Sequence, residues 1–270
     1  MALKTEWVRY GKSSGYFAMP ERAATPLPAV LVIQEIWGVE DHIEDVTRRI
    51  ASAGYAALAP DIFSVDGQRP EHLTRERVAE LLAFLGAQPP AVWGDQAARE
   101  AALQKLPALE RGRVSETFGG LLGQPPEWRE SFIPALRDAV RYLRRERPET
   151  REQKVACVGF CMGGGLSALL ACEEPELSGA AVYYGATPAP EKLAKIRCPV
   201  IAFYGGNDAR VNAGIPAFEK GMKEISQSYE PKVYEGANHS FFNDTRGAYD
   251  VRAARDSFAR LLAFFSRTLT

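Results

Sequence analysis

A mostly parallel β-sheet covered by helices is the fold class that this sequence predicts, and three observations carry it. Short apolar runs recur along the chain with amphipathic stretches between them, the pattern of strand–helix units stacked into one α/β layer structure. The runs are bounded by glycine, proline and polar clusters, as buried strands are. The chain of 270 residues, 46% apolar and 25% charged, suits one large α/β domain spanning residues 1–270 better than two small ones.

In chain order, the first buried strand is expected at Ala29 to Gln34. A helix follows, with apolar residues at Val39, Ile43, Val46 and Ile50 spaced four, three and four. Gly54 ends that helix, and Tyr55 to Pro60 forms the next strand. The segment from Ser64 to about Thr150 offers no strand pattern. Helical spacing appears in it at Val78, Leu81, Leu82 and Leu85, and again at Trp128, Phe132, Leu136, Ala139 and Leu143. Between those, Leu109 to Pro126 reads as loop, being rich in Gly and Pro. Residues 64–128 are therefore expected as a helical excursion over one rim of the sheet, either a lid or an ornament. The second half predicts a strand at Lys154 to Phe160 running into a helix from Met162 to about Cys172. Strands follow at Gly179 to Tyr184, Pro199 to Tyr204 and Lys232 to Tyr234. A closing helix carries Val251, Ala254, Phe258, Leu262 and Phe265 on one face.

Composition excludes some functions. A formal net charge of -1, without a basic stripe, argues against nucleic-acid binding. Arg141 to Arg151 also contains Glu146 and Glu149, so this stretch reads as a solvated helix end. No apolar stretch is long enough to span a bilayer, and Met1 to Tyr10 has no signal-like apolar core. A cytoplasmic protein is the expectation, and with it four free thiols at Cys157, Cys161, Cys172 and Cys198.

The chemistry is concentrated in Gly159-Phe160-Cys161-Met162-Gly163-Gly164, placed directly after a buried strand and opening a helix. This is the nucleophile-elbow pattern of the α/β-hydrolase fold, with Cys in place of Ser. A tight strand-to-helix turn demands small flanking residues and lifts the nucleophile above the sheet edge. The helix N-terminus is expected to lower the thiol pKa. In this fold the partners follow in the order nucleophile, acid, histidine. Of His42, His72 and His239, only His239 lies downstream, in a loop before the last helix. Asp208 sits between the two, after Gly205-Gly206-Asn207 at a strand end. Cys161, Asp208 and His239 thus occupy three C-terminal loops in the required order. His42, among Glu40, Asp41 and Glu44, reads as a solvated residue, and His72, near Pro70, as a helix cap or part of the rim. Cys157 and Cys161 have no histidine pair nearby, so neither a metal nor a cofactor is expected.

These residue types fit acyl transfer to a thiol. His239 removes the Cys161 proton, the thiolate attacks an ester carbonyl, and an acyl-thioester forms. Asp208 orients the imidazole and stabilises its cation. The Met162 backbone N–H contributes to the oxyanion hole.

Gln34-Glu35-Ile36-Trp37-Gly38, Ala59-Pro60-Asp61-Ile62-Phe63, the cysteine elbow, Gly205-Gly206-Asn207-Asp208 and His239-Ser240-Phe241 together resemble the dienelactone hydrolase family, in family order over nearly the whole chain. The resemblance implies a carboxymethylenebutenolidase-like hydrolase acting on a small-molecule ester or lactone. It also implies that Glu35 contacts the resting thiol and that the Ile36 N–H is the second oxyanion donor. On its own terms, Glu35 ends a buried strand, where it reads as a functional carboxylate or as a cap or ion-pair partner. Two positions depart from the family. Val65 and Asn243 stand where dienelactone specialists carry carboxylate-binding arginines, so neutral esters are the expected substrates unless Arg69, Arg210 or Arg246 substitutes. Two other readings use the same residues: a thioesterase or acyltransferase, and a non-catalytic thiol protein serving as redox sensor or binding module.

Overall fold

The computed structural model describes residues 2–89 and 91–270. Eight strands form one sheet: β1 (Leu3–Tyr10), β2 (Ser13–Pro20), β3 (Ala29–Ile33), β4 (Ala56–Pro60), β5 (Val155–Phe160), β6 (Gly179–Tyr183), β7 (Val200–Gly205) and β8 (Tyr229–Tyr234). They lie in the order β1-β2-β4-β3-β5-β6-β7-β8. From β4 to β8 the neighbours are parallel, whereas β2 pairs antiparallel with both β1 and β4. The six expected strands are present, most shifted by a residue at an end, and β8 begins three residues earlier, at Tyr229. The fold is therefore the α/β-hydrolase type that the elbow implied.

The N-terminal hairpin was not expected from the sequence. As an edge strand, β1 is largely solvated, so Leu3 to Tyr10 has no buried run to reveal it. Its partner β2 is buried almost throughout, yet opens with Ser13-Ser14-Gly15, residues of low strand propensity. The register explains the glycine: a Cβ at Gly15 would lie 2.7 Å from the Ala59 carbonyl oxygen of β4. Gly11, at φ +55°, makes the turn.

Helices cover both faces. Helix α1 (Asp41–Ser52) buries Ile43, Val46 and Ile50 as its spacing predicts. The excursion after β4 contains α2 (Arg75–Gly86), α3 (Ala91–Gly94), α4 (Gln96–Leu103) and α5 (Ala108–Leu122), followed by a 3₁₀ turn at Pro126–Phe132 and by α6 (Ile133–Arg141). Helix α5 corrects the loop expected at Leu109 to Pro126. Its buried residues Val114, Thr117 and Leu121 are spaced three and four, so the helical period was there beneath the glycines. One of those glycines serves packing: a Cβ at Gly120 would come within 2.6 Å of the His72 ring. After β5 comes α7 (Met162–Glu173). Short helices α8 (Pro190–Leu193) and α9 (Ala209–Asn212) precede α10 (Ile215–Glu224), and α11 (Val251–Thr268) closes the chain.

The apolar stripe of α11 is rotated from the expected one. Ala253, Ala254, Ser257, Leu261, Phe264 and Phe265 are buried, whereas Val251 is 59% exposed. The Asp250 side chain accepts from the Arg252 and Ala253 N–H groups, so Val251 lies in the first, outward turn.

The expected solvated end at Arg141 to Arg151 also needs correction, at Arg147. Its guanidinium is buried 4.0 Å over the Phe17 ring of β2, and Nη2 donates to Glu6 Oε1 at 2.7 Å and to Glu149 Oε1 at 3.1 Å. A planar cation that stacks and pairs at once can be buried where a lysine could not, and here it pins the hairpin to the segment before β5. No helix among the described residues is long and apolar enough to cross a membrane.

Candidate active site

Backbone geometry fixes the elbow first. Cys161, between β5 and α7, has φ +54° and ψ -114°, a conformation strained for any L-residue. The turn is so tight that a Cβ at Gly159 would lie 1.8 Å from the Gly163 carbonyl oxygen. A Cβ on Gly163 would lie 2.3 Å from the Ile33 and Gln34 oxygens, at the end of β3. Small residues are therefore required at both positions, as the sequence pattern implied.

Asp208 and His239 meet as predicted. Asp208 follows β7, and its Oδ1 also accepts from the Val211 N–H at 3.4 Å. His239 lies in the loop after β8, with Nδ1 2.5 Å from Asp208 Oδ2. This contact occupies Nδ1 and leaves Nε2 for the cavity. The Tyr184 ring packs against the imidazole at a centroid separation of 5.0 Å.

Cys161, Met162, His239, Glu35 and Ile36 all line one cavity of about 580 Å³ at the carboxyl ends of the strands. Among the described residues, neither the Ile36 nor the Met162 N–H has a backbone acceptor, and the Met162 N–H is directed at the Cys161 thiol. A larger cleft of about 710 Å³ runs beside α6 and α7, but it is lined by ion pairs such as Arg137–Glu174 and contains no nucleophile.

The thiol itself is not pre-activated. Burial, reinforced by Glu35, pushes Cys161 up to about 12, against the opposing pull of the Met162 N–H, Arg129 and Arg210. The expected lowering by the helix N-terminus is thus outweighed by desolvation. The resting Cys161 thiol is therefore neutral near pH 7.

Glu35 is buried, at 1% exposure, and no hydrogen bond joins it to the thiol. Instead Asn243 Nδ2 donates to its Oε2 at 2.8 Å and the Tyr184 hydroxyl donates to its Oε1 at 3.3 Å. Burial raises this carboxyl to about 7, the Asn243 hydrogen bond offsetting only part of the rise. Asn243 is held in turn, its Oδ1 accepting from the Thr245 N–H and hydroxyl.

Other sequence expectations divide. Val65 is 65% exposed and does not line the cavity, and neither does Arg69, whose Nε pairs with Asp61 Oδ2 at 2.7 Å. Arg210 and Arg246 do line it, joined by Arg129 from the 3₁₀ turn after α5. Arg246 pairs with Glu40 at 3.3 Å, whereas Arg129 and Arg210 have no ion pair among the described residues. His42, expected in solvent, is buried edge-on to Phe160 and Phe242. Burial holds its pKa down to about 4, so it is neutral near pH 7. It flanks Ile43 and Val46 on the inward side of α1, where the polar neighbours in sequence do not reach. His72 lies in the 3₁₀ turn Glu71–Leu73, at the rim.

Tyr184 and Arg129 escaped sequence reasoning. Tyr184 had a readable signal, since it is an aromatic residue at the carboxyl end of a buried strand, where sites in this architecture are built. Arg129 had none, because its position depends on how the excursion folds back.

Comparisons with known proteins bear on the chain as a whole. The sequence pattern of the dienelactone hydrolase family matches residues 14–269. The chain is 34% identical over 257 residues to the "Putative carboxymethylenebutenolidase" of Saccharolobus solfataricus, covering 95% of this chain and 94% of that one. A protein of the same name in Escherichia coli K12 is 25% identical over 263 residues, covering 93% and 81%. In fold, the chain is similar to a dienelactone hydrolase-like promiscuous phosphotriesterase from metagenomic libraries, with a TM-score of 0.69, 22% identity and full coverage of both chains. With its fold and nearly its whole length in accord, the chain belongs to the dienelactone hydrolase family.

Proposed function

We propose that this hydrolase cleaves carboxylic esters or lactones through Cys161, with His239 as base and Asp208 as its orienting acid. The observation that carries the reading is the Asp208–His239 contact beside a strained elbow cysteine on one cavity. Substrate binds with its carbonyl oxygen toward the Ile36 and Met162 N–H groups. His239 Nε2 takes the Sγ proton as sulfur adds to the carbonyl carbon. The tetrahedral oxyanion collapses, the alcohol leaves with the proton carried by His239, and a thioester remains. Water, deprotonated by His239, attacks the thioester and releases the acid and the thiol. Glu35, close to half-protonated near neutrality, lies beside this proton traffic and raises the thiol while it is ionised.

The base and its orienting acid differ in expected effect. His239→Ala removes the base and should lose more kcat/KM than Asp208→Asn, which keeps an imidazole but holds it poorly. The measurement is kcat/KM for p-nitrophenyl acetate in both variants. A histidine variant near wild type would place the base elsewhere.

The charge of the substrate is the point at which cavity and sequence part. Val65 and Asn243 favoured neutral esters, but Arg129, Arg210 and Arg246 line the cavity. An arginine contact to a carboxylate is strong and selective. Esters bearing a free carboxylate are therefore expected to exceed their neutral matches by about tenfold in kcat/KM, roughly 1.4 kcal/mol of transition-state binding. Equal rates for a pair differing only in that group would refute the arginine assignment.

A further inference from the structure

The cavity is much larger than its chemistry requires. A space of about 580 Å³ falls within the range that encloses most of a drug-sized ligand. At about 30 Å³ for each water in the liquid, it is equivalent to roughly twenty waters, and a small monocyclic lactone would leave much of it wet. The surplus space has a definite lining. Trp37 stands next to the oxyanion donor Ile36, and Leu82 of α2, Trp93 of α3 and Leu122 of α5 complete a wall built by the excursion. Trp93 meets Trp37 edge-on, with 6.0 Å between centroids and 80° between planes, yet it stays 44% exposed. The Arg246 guanidinium lies 5.7 Å from the Trp37 centroid. Gly86, at the end of α2, also lines the wall, and a Cβ there would meet nothing within 4 Å.

We infer that the wall of Trp37, Leu82, Trp93 and Leu122 is a subsite for a bulky aromatic group, so that the substrate is an aryl-substituted ester of about naphthyl size. Exposed indole and leucine surface facing a cavity gains by covering it with apolar atoms. Indole edges and faces favour an aromatic partner in tilted or offset geometry over an alkyl chain. The wall and Cys161 line the same cavity, so a ring seated on it shares that space with the carbonyl that Cys161 attacks. This assignment rests on the hydrolase reading for its reaction but not for its binding.

Two measurements test it separately. In the first, kcat/KM is compared for p-nitrophenyl acetate and p-nitrophenyl 2-naphthylacetate, and for phenyl acetate and 2-naphthyl acetate, whose leaving groups match, so that the ring is placed on the acyl or the alcohol side. One of the two pairs should favour the larger ester by at least thirtyfold, about 2 kcal/mol. Trp93→Ala should reduce that ratio at least tenfold, and so should Gly86→Leu, which fills the space without removing an indole. In the second, 2-naphthylacetate is titrated into the Cys161→Ala protein, with and without Trp93→Ala, by calorimetry. Weakening of Kd by tenfold or more on losing Trp93 supports the subsite even if no ester is ever turned over, in which case only the hydrolase reading fails. Ratios near one for both pairs, together with a Kd indifferent to Trp93, would overturn the subsite and leave the hydrolase intact.

Discussion

Replacing Cys161 by Ala is expected to lower ester turnover by roughly 10⁴- to 10⁶-fold, the scale on which loss of a nucleophile acts when its partners cannot stand in for it. The fold should survive, because the elbow is held by Gly159 and Gly163 packing backbone against backbone rather than by the thiol. The other cysteines give the control. Cys172 and Cys198 are buried away from the cavity, and burial pushes each of their thiols up to about 12, so Cys172→Ala and Cys198→Ala should keep wild-type turnover. A burst assay adds a second readout: wild type should release about one equivalent of p-nitrophenol ahead of the steady state if the thioester accumulates. Full turnover in a folded Cys161→Ala protein would remove the cysteine from the mechanism.

The second large effect is on stability. Glu35 sits at about 7 in the folded chain because burial penalises its charge, while an unfolded glutamate titrates near 4.3. The folded state therefore holds this proton more tightly. The stability it confers is fully present below about pH 4 and is lost as pH rises through 7. Over that interval the loss is on the order of 3 kcal/mol, at about 1.36 kcal/mol for each unit. Glu35→Gln carries no such charge and can still bond to Asn243 or Tyr184. Its stability relative to wild type should rise by about that amount between pH 4 and pH 9, as read from urea unfolding at each pH. Other titrating groups cancel in the difference. Parallel pH curves for the two proteins would mean that Glu35 is ionised at no penalty, with solvent or a cation reaching it.

Much of this arrangement was legible because it depends on local rules. Cys161, Asp208 and His239 sit at strand ends in an order that the fold dictates, and Gly159 and Gly163 announce a turn that tolerates no side chain. What escaped was set by distant partners. Strand β1 is an edge held by β2 and, through Glu6, by Arg147, and Arg147 looks solvated until Phe17 and Glu6 arrive from the other end of the chain. His42 has acidic neighbours in sequence, but in space it sits against Phe160 and Phe242, with Asp244 the acid nearest its ring. Helix α5 was masked by glycines, one of which exists to let His72 approach. The thiol's acidity was misjudged for a related reason: the helix terminus is visible in sequence, whereas the desolvation that outweighs it is not.

The contact of Gly163 with the Ile33 and Gln34 carbonyls also separates two kinds of change. The elbow turn bearing Cys161 and the loop bearing Ile36 pack through main-chain atoms, so the Cys161 thiol and the Ile36 and Met162 N–H groups are set by one backbone contact. The excursion supplies Leu82, Trp93 and Leu122 to the same cavity from separate helices. A chain built this way can exchange its roof, and with it the shape of molecule it admits, without re-aiming a single reacting atom. Only Arg129, which the same stretch between β4 and β5 brings to the cavity, carries such a change to the Cys161 thiol through its charge.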